Sequence, residues 1–528
     1  MEISARVIVG LALAVGLALP ACGGDDPGES AASVPPTSTP SSSSATTGAA
    51  GASSTTSSSA GRSGDQPTSM QEWEALWDEE RAAAVDRIEQ NGWGTSADGT
   101  RAVGPEGFVI DLGACPEGWS DTEGLTDSSI KVGYVLAQSG PAAAGGGLAR
   151  AEDALFQHYA STGGYVDSEG KARTVEMVVR DDAYDAARTI PLVDELIDSE
   201  KVFLVQTSGT PPTLRTYDKL NQRCIPQPLT GSGHSGMGDP VNHPWTTNAG
   251  FSYGTEAIIW AAFIEQRLDE FGGKAKVAFL KINNEGGAAW EAAFEAYIDQ
   301  SDHRDDIDYV FESHEPTAAT ITEQMTTLAA FDPDFFFVAS TGTPCSQVLT
   351  EAAQNGMKES VKYKFLASTC KATGSVTEEQ AGDTSDGWWS AGGGGKDLAS
   401  PAFDGDPWVE AARGWLSDAG HDYEEPIMSL GMSYAWTLHQ GLMIGGALPG
   451  GLTRSNLMIA LRTMDMTNPN LMPGIRFNMN GNADAFLLEG SEIARWSVDD
   501  QAWIVDEVID LSGRTSNCAW DTSAGACG

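Results

Sequence analysis

The sequence predicts an α/β protein made of two doubly wound lobes, each with a parallel central sheet. Two observations carry this. Short apolar runs that end in small-residue turns alternate with helical patterns over 130–260, and a second such series runs from Ser252 to about residue 370. A β-α-β-α order calls for parallel strands, with the functional loops at their carboxyl ends. The chain's 528 residues, 41% of them apolar, suffice for two or three cores, and no repeat of solenoid period is present.

In chain order, Val7–Leu19 is an almost unbroken apolar run preceded by Arg6 and Glu2. At ~1.5 Å per residue it is too short for a ~30 Å hydrocarbon core, so residues 1–22 read as a signal peptide. Leu19-Pro20-Ala21-Cys22 resembles a bacterial lipobox, with Pro20 a mild departure, so Cys22 is expected to become a lipidated first residue. The product is then extracytoplasmic and anchored to the outer face of the cell membrane; the alternative is ordinary cleavage without lipid. Residues 23–69 are Ser, Thr, Gly, Pro and Ala with almost no large apolar side chain, and read as a disordered tether.

A helix is expected over 72–93, because Trp73, Leu76, Trp77, Ala84 and Ile88 share a face and Gly92 ends it. It opens a pre-domain, residues 70–127, to which the residues assign no chemistry. The run IKVGYVLAQSG begins the first lobe, and the helix at 147–162 places Leu148, Ala151, Leu155 and Tyr159 on one face. RTVEMVVRDDAYD and KVFLVQTSGTPPT follow, with Pro191 predicting a kink or late start in the helix between them. The second series has strands KVAFLK, IDYVFE, DFFFVAS and YKFLAS, separated by helices at 287–299, 317–330 and 345–355. SAGGGGK reads as a crossover, followed by helices at 407–418 and 427–445 and a strand-rich end.

Acidic residues outnumber basic ones 74 to 31, for a net charge of −43. Such a surface repels nucleic acid and anionic lipid, which argues against either as a direct partner. Setting Cys22 aside leaves six cysteines, an even number in an exported chain. Connectivity is not readable from sequence, but proximity favours Cys518–Cys527, loop position favours Cys345–Cys370, and elimination leaves Cys115–Cys224. With no CxxC and seven scattered histidines, no metal site is expected.

IKVGYVLAQSGPAA, VVRDDAYDAART, LVDELIDSEKVFLVQTSGTP, IPQPLTGSG…GDPVNHPW and FFFVAS…QVLTEAAQNGM together resemble type I periplasmic solute-binding proteins of the branched-chain amino acid ABC-transporter class. They cover about 130–370 in order. The resemblance implies two lobes joined by three crossovers, at 128–249 plus 394–468 and 250–393 plus 469–511, with 512–528 as a tail. It implies a monomer that holds a small carboxylate, amino acid or amide between the lobes, uses no cofactor, and delivers its ligand to an ABC permease.

It places Ser208 and the Gly231–Ser232 turn on the ligand's carboxylate, chemistry suited to hydroxyls and free N–H groups at helix starts; the same serines also suit helix capping. Ser139, Tyr253, Thr341 and Thr369 complete the candidate contacts. Gly145, Gly286 and Gly342 fall where amino-acid-binding relatives often carry aromatics, and Thr369 where they carry an acid, which implies a roomier cleft with no ammonium partner. Tyr253, Trp290 or Trp388 would then supply a stacking wall, or else simply pack in the core.

Other chemistries fare worse. His234 and Ser235 share one glycine loop, but G-x-S-x-G is absent and adjacent side chains diverge, so a serine hydrolase is weakly supported. Gly145-Gly146-Gly147 lacks the dinucleotide spacing. Asp181, Asp182 and Asp185 lack the remaining ligands of a calcium loop and read as a turn and helix cap. A sensor lipoprotein of the same fold is the alternative to an importer component.

Overall fold

A computed structural model describes residues 66–425, 427–515, 517–521 and 526–527. The predicted signal segment with Cys22, and the tether as far as residue 65, lie outside the described residues. Helix α1 (Met70–Gln90) starts on Ser69, whose hydroxyl accepts the Glu72 N–H at 3.2 Å, while Glu72 accepts the Thr68 N–H at 2.7 Å. This reciprocal cap satisfies donors that a helix start otherwise leaves open. Three short strands follow, β1 (Gly94–Thr95), β2 (Arg101–Val103) and β3 (Val109–Asp111), paired antiparallel in sequence order.

The first central sheet contains β4 (Ser129–Leu136), β5 (Tyr165–Val166), β6 (Ala172–Asp181) and β7 (Leu204–Thr207), in the order β5-β6-β4-β7. Between them run α2 (Gly146–Ser161) and α3 (Ala186–Asp198), and α4 (Thr210–Gln222) follows β7. Strands β8 (Gln227–Thr230) and β9 (Thr246–Asn248) extend the sheet through a Ser208–Gly231 bridge beside β7. Only β5 runs antiparallel to its neighbour. Of the two outcomes expected at Pro191, a kink or a late start, the late start does not occur. Asp185 caps α3 by accepting the Ala187 N–H at 2.9 Å, and the helix runs through the proline.

Helix α5 (Tyr253–Glu265) then carries the chain to a second sheet made of β10 (Ala275–Ile282), β11 (Ile307–His314), β12 (Phe335–Ala339), β13 (Tyr363–Leu366) and β14 (Trp389–Ala391). These strands are separated by α6 (Glu285–Gln300), α7 (Thr322–Ala330), α8 (Pro344–Asn355), the short α9 (Met357–Ser360), α10 (Ser368–Ala372) and α11 (Glu378–Ala381). Every residue of the central strand β12 is buried, as both covered faces of a parallel sheet require.

Residues 392–395 lead back to α12 (Pro407–Asp418), α13 (Met428–Ala447) and α14 (Arg454–Arg462), the last unforeseen in the sequence. A third passage ends in β15 (Gly490–Ser497) and β16 (Ala502–Asp510), so the sheet order is β11-β10-β12-β13-β14-β15-β16. The expected parallel run holds from β10 to β14, and antiparallel β15 and β16 complete it as a mixed sheet. The reason is topological: a tight connection between consecutive strands permits only antiparallel pairing, since a parallel return needs a crossover of a dozen residues.

The pre-domain packs on the first sheet's helices. Trp77 is fully buried, with ring centroids 5.5 Å from Trp73, 5.8 Å from Trp408 and 5.7 Å from Trp436, and its indole N–H donates to the Thr467 carbonyl at 3.1 Å. The Cys115–Cys224 disulfide ties this region to the α4–β8 loop, and Cys345–Cys370 ties the start of α8 to α10. Cys518 is also disulfide-bonded. The backbone of Trp520 pairs with that of Cys527 in a short hairpin, while the Cys527 side chain lies outside the described residues.

Because Trp77 joins two helices of the core to α1, Trp77→Ala is expected to cost about 3–5 kcal/mol, the usual loss for a buried aromatic. Urea unfolding of the purified chain checks this, and an intact unfolding midpoint would show that α1 is dispensable to the fold.

Candidate ligand-binding site

The carboxyl ends of the two sheets face one cavity of about 230 Å³, small against the ~300–1,000 Å³ of drug-sized pockets. Its wall is largely apolar, with Leu148, Phe251, Leu430, Tyr434 and Leu471 among the residues that form it. Of the predicted contacts, Ser208, Gly231, Ser232, Tyr253, Thr341 and Thr369 line it.

Ser139 does not. Its hydroxyl donates to the Asp181 carboxylate at 2.6 Å, and Asp181 also accepts the Gln138 N–H at 2.8 Å and the Ala183 N–H at 2.9 Å. These donors hold the Asp181 carboxyl below its ordinary range against the opposing effect of burial, so the group is a turn anchor. Asp182 accepts from Thr189 and the Tyr184 N–H, and Asp185 caps α3.

The donors around Ser208 are mostly used within the protein. The Gly231 N–H donates to the Thr207 carbonyl at 2.9 Å, extending the β7–β8 ladder, so it is not the free donor the sequence led us to expect. The Ser232 hydroxyl shares a 2.8 Å hydrogen bond with that of Thr210 and accepts the His234 N–H at 3.2 Å. Helix α4 opens Thr210-Pro211-Pro212, and two prolines remove two of the N–H groups a helix start normally offers. The Ser208 hydroxyl has no partner among the described residues. Gly209, at φ +95°, is required here: a β-carbon would stand 2.5 Å from the Tyr184 ring.

Tyr253 forms the floor. Its ring stacks on Trp290 at 3.7 Å, and burial raises its hydroxyl above the ordinary value, offset by the Gly233 N–H and the Thr210 and Ser232 hydroxyls. Trp290 therefore backs Tyr253 and does not itself face the cavity. Trp388 packs in the second sheet's core against Phe336, with its indole N–H on the Thr384 carbonyl, and supplies no stacking wall.

The glycines do not enlarge the cleft as expected. A β-carbon on Gly342 would meet the Pro141 carbonyl oxygen at 2.8 Å, and one on Gly286 would meet Thr210 Oγ1 at 3.1 Å. Backbone and side chains from the first sheet's loops occupy the space that larger residues would take, and these contacts close the cleft's edge. The Asn284 amide reaching the Tyr184 hydroxyl at 3.4 Å does the same.

Sequence reasoning missed the titratable groups behind this wall, because none stands in a recognisable motif. Glu256, one turn into α5, accepts the Ser368 N–H at 2.6 Å, the Ser368 hydroxyl at 3.1 Å and the Trp290 indole N–H at 2.9 Å. Glu152 accepts from the Gln206 amide at 3.0 Å. Burial pushes each carboxyl from 4.5 to about 8. Lys371 on α10 lines the cavity and pairs with Glu492, whose other oxygen accepts the Gly394 N–H. Lys396 pairs with Asp406 at 2.7 Å. His234 accepts the Gly236 N–H on Nδ1 at 3.0 Å, and burial lowers its pKa to about 4, an arrangement unsuited to activating Ser235 as a nucleophile.

Residues 129–495 match the profile of a family described as periplasmic binding protein. The chain belongs to that family. No curated protein matches this binding protein's sequence. It is similar to a solute-binding protein of an ABC transporter from Rhodopseudomonas palustris BisB5 in complex with 3,4-dihydroxybenzoic acid, at 18% identity, 73% of this chain, 98% of the other and a TM-score of 0.60. A fatty acid ABC transporter substrate-binding protein from Thermomonospora curvata is similar at 16% identity, 74%, 95% and 0.61. A branched-chain amino acid ABC transporter structure from Thermus thermophilus with bound valine is similar at 16% identity, 74%, 98% and 0.61. At these identities the likeness is one of fold, the type I periplasmic binding protein fold.

The buried carboxyls have a readable pH signature. A carboxyl raised from 4.5 to about 8 on folding binds its proton more tightly in the native state. Its contribution is therefore full below the unfolded value and is lost as pH rises towards about 8. Glu256→Gln, which cannot ionise, is expected to flatten the fall in unfolding free energy between pH 5 and 8. Parallel slopes for variant and wild type in urea titrations would refute the assignment.

Proposed function

We propose that this chain is the extracytoplasmic solute receptor of an ABC importer, capturing one small organic molecule in the cavity between its sheets without chemically changing it. The supporting observation is a mostly apolar cavity placed where the loops of two sheets converge, a geometry suited to enclosing a solute. Membership of the periplasmic binding protein family supports the same reading. In this proposal the lobes are 128–249 plus 394–468 and 250–393 plus 469–511. Ser208, Tyr253, Thr341 and Thr369 touch the ligand, and residues 1–22 direct export, with lipid on Cys22 and the Ser/Thr-rich stretch as tether. The chain acts as a monomer that presents its closed form to a membrane permease.

Native mass spectrometry of the purified chain lacking residues 1–22 tests this. One small molecule per chain, released on denaturation, is expected, and Thr341→Trp, which fills the cavity wall, should abolish its retention. A chain that carries nothing and whose melting temperature ignores a panel of amino acids, aromatic acids and fatty acids would overturn the reading.

A further inference from the structure

We propose that Lys371 receives the anionic end of a bound organic acid, in place of the hydroxyl and N–H groups at the ends of β7 and β8. This rests on the solute-receptor reading and narrows its ligand to a carboxylic acid with an apolar body.

The first reason is the supply of donors. On the first sheet's side, the Gly231 N–H is committed to Thr207 and the Ser232 hydroxyl to Thr210. Pro211 and Pro212 strip the start of α4, and Gly233 is covered by the Tyr253 ring, which lies 2.5 Å from where its β-carbon would be. Among the hydroxyls at these strand ends Ser208 alone has no partner among the described residues, and one neutral hydroxyl is a weak hold on a carboxylate in a protein carrying −43.

The second reason is the position of the cations. Two lysines stand among the described residues that line the cavity, Lys371 and Lys396. Lys396 pairs with Asp406, the N-cap of α12, and its side chain is 3% exposed against 9% for Lys371. Lys371 is different. Its Cδ and Nζ lie 2.4 and 2.6 Å from where a β-carbon on Gly392 would stand, and Gly392 is itself part of the cavity wall. A side chain at this position would compete with the ammonium for the space it now fills.

Glu492 takes one of the three N–H groups and the Trp503 ring lies 5.9 Å away, leaving donor capacity on an ammonium whose side chain is 9% exposed. Charge-assisted hydrogen bonds in such a dry setting are the strong ones. Because Glu492 also accepts from Gly394, on the segment that returns the chain to the first sheet, an acid held by Lys371 is linked to that passage through Glu492.

Calorimetry on the folded chain with matched probes tests this: 4-hydroxybenzoate, octanoate and valine, each against its primary amide. At least one acid is expected to bind wild type on the order of ten- to a hundredfold more tightly than its amide, the worth of a charged hydrogen bond. Lys371→Met alone strands the Glu492 carboxylate, so the double variant K371M/E492M is used, which removes both charges together. It should erase the preference for acid over amide, while Lys371→Arg keeps it and Ser208→Ala costs less. Equal binding of acid and amide, or an unchanged preference in K371M/E492M, overturns the inference and leaves the solute reading intact. So does an uncharged molecule in the native mass spectrum. Failure of every acid to bind wild type overturns it too; whether the broader reading then survives is decided separately by whether that spectrum shows any bound molecule.

Discussion

Parallel strand pairing is the constraint from which the cleft follows. When β4, β6 and β7 run in one direction, every loop that leaves a strand for a helix emerges at the same edge of the sheet. The second sheet obeys the same rule from β10 to β14. Three passages between the sheets set those edges face to face, and residues far apart in sequence, such as Ser208, Tyr253, Thr341 and Thr369, line one cavity. Helix α5 holds the arrangement from within. Its Glu256 carboxyl gathers Ser368 from the start of α10 and Trp290 from α6, and Trp290 in turn supports the Tyr253 ring.

Polar satisfaction decides what such a cavity offers a guest. Buried donors find partners within the fold wherever they can, because an unpaired one costs about 1–3 kcal/mol. Here the first sheet's loops have largely satisfied one another, through Thr207, Thr210 and the Tyr253 floor. The charged pair of Lys371 and Glu492 sits across from them with ammonium donors to spare. The site's charged groups, Lys371 on the second sheet's side and Lys396, Asp397, Glu424 and Glu425 on the returning segment, stand in residues that carry no motif.

The added parts of the chain are structural by the same physical criteria. Helix α1 buries Trp73 and Trp77 on α12 and α13, and Arg81 donates to Gln440 at 2.7 Å. Buried Arg454 donates to the carbonyls of Val202 at 2.8 Å and Phe203 at 2.9 Å and to Ser120, stitching the pre-domain to the first sheet. These residues lie outside or at the margins of the binding cleft and supply core that the two-sheet body lacks on that face.

The sequence by itself determined most of the elements of the two sheets and their order. Alternation of apolar runs with helical patterns, the turn after each strand, and a cap such as Asp185 are local properties, readable wherever backbone preference and burial agree. Candidate loop residues were legible for the same reason, since a strand's end is a local event. Tertiary structure decided what those residues do. Whether Ser139 faces a ligand or Asp181, whether the Gly231 N–H is free, and whether Gly342 opens a cleft or closes one depend on which groups arrive from elsewhere in the chain. Hydrogen bonds are short-ranged and each donor is spent once, so assigning donors requires the neighbours, and only folding supplies them.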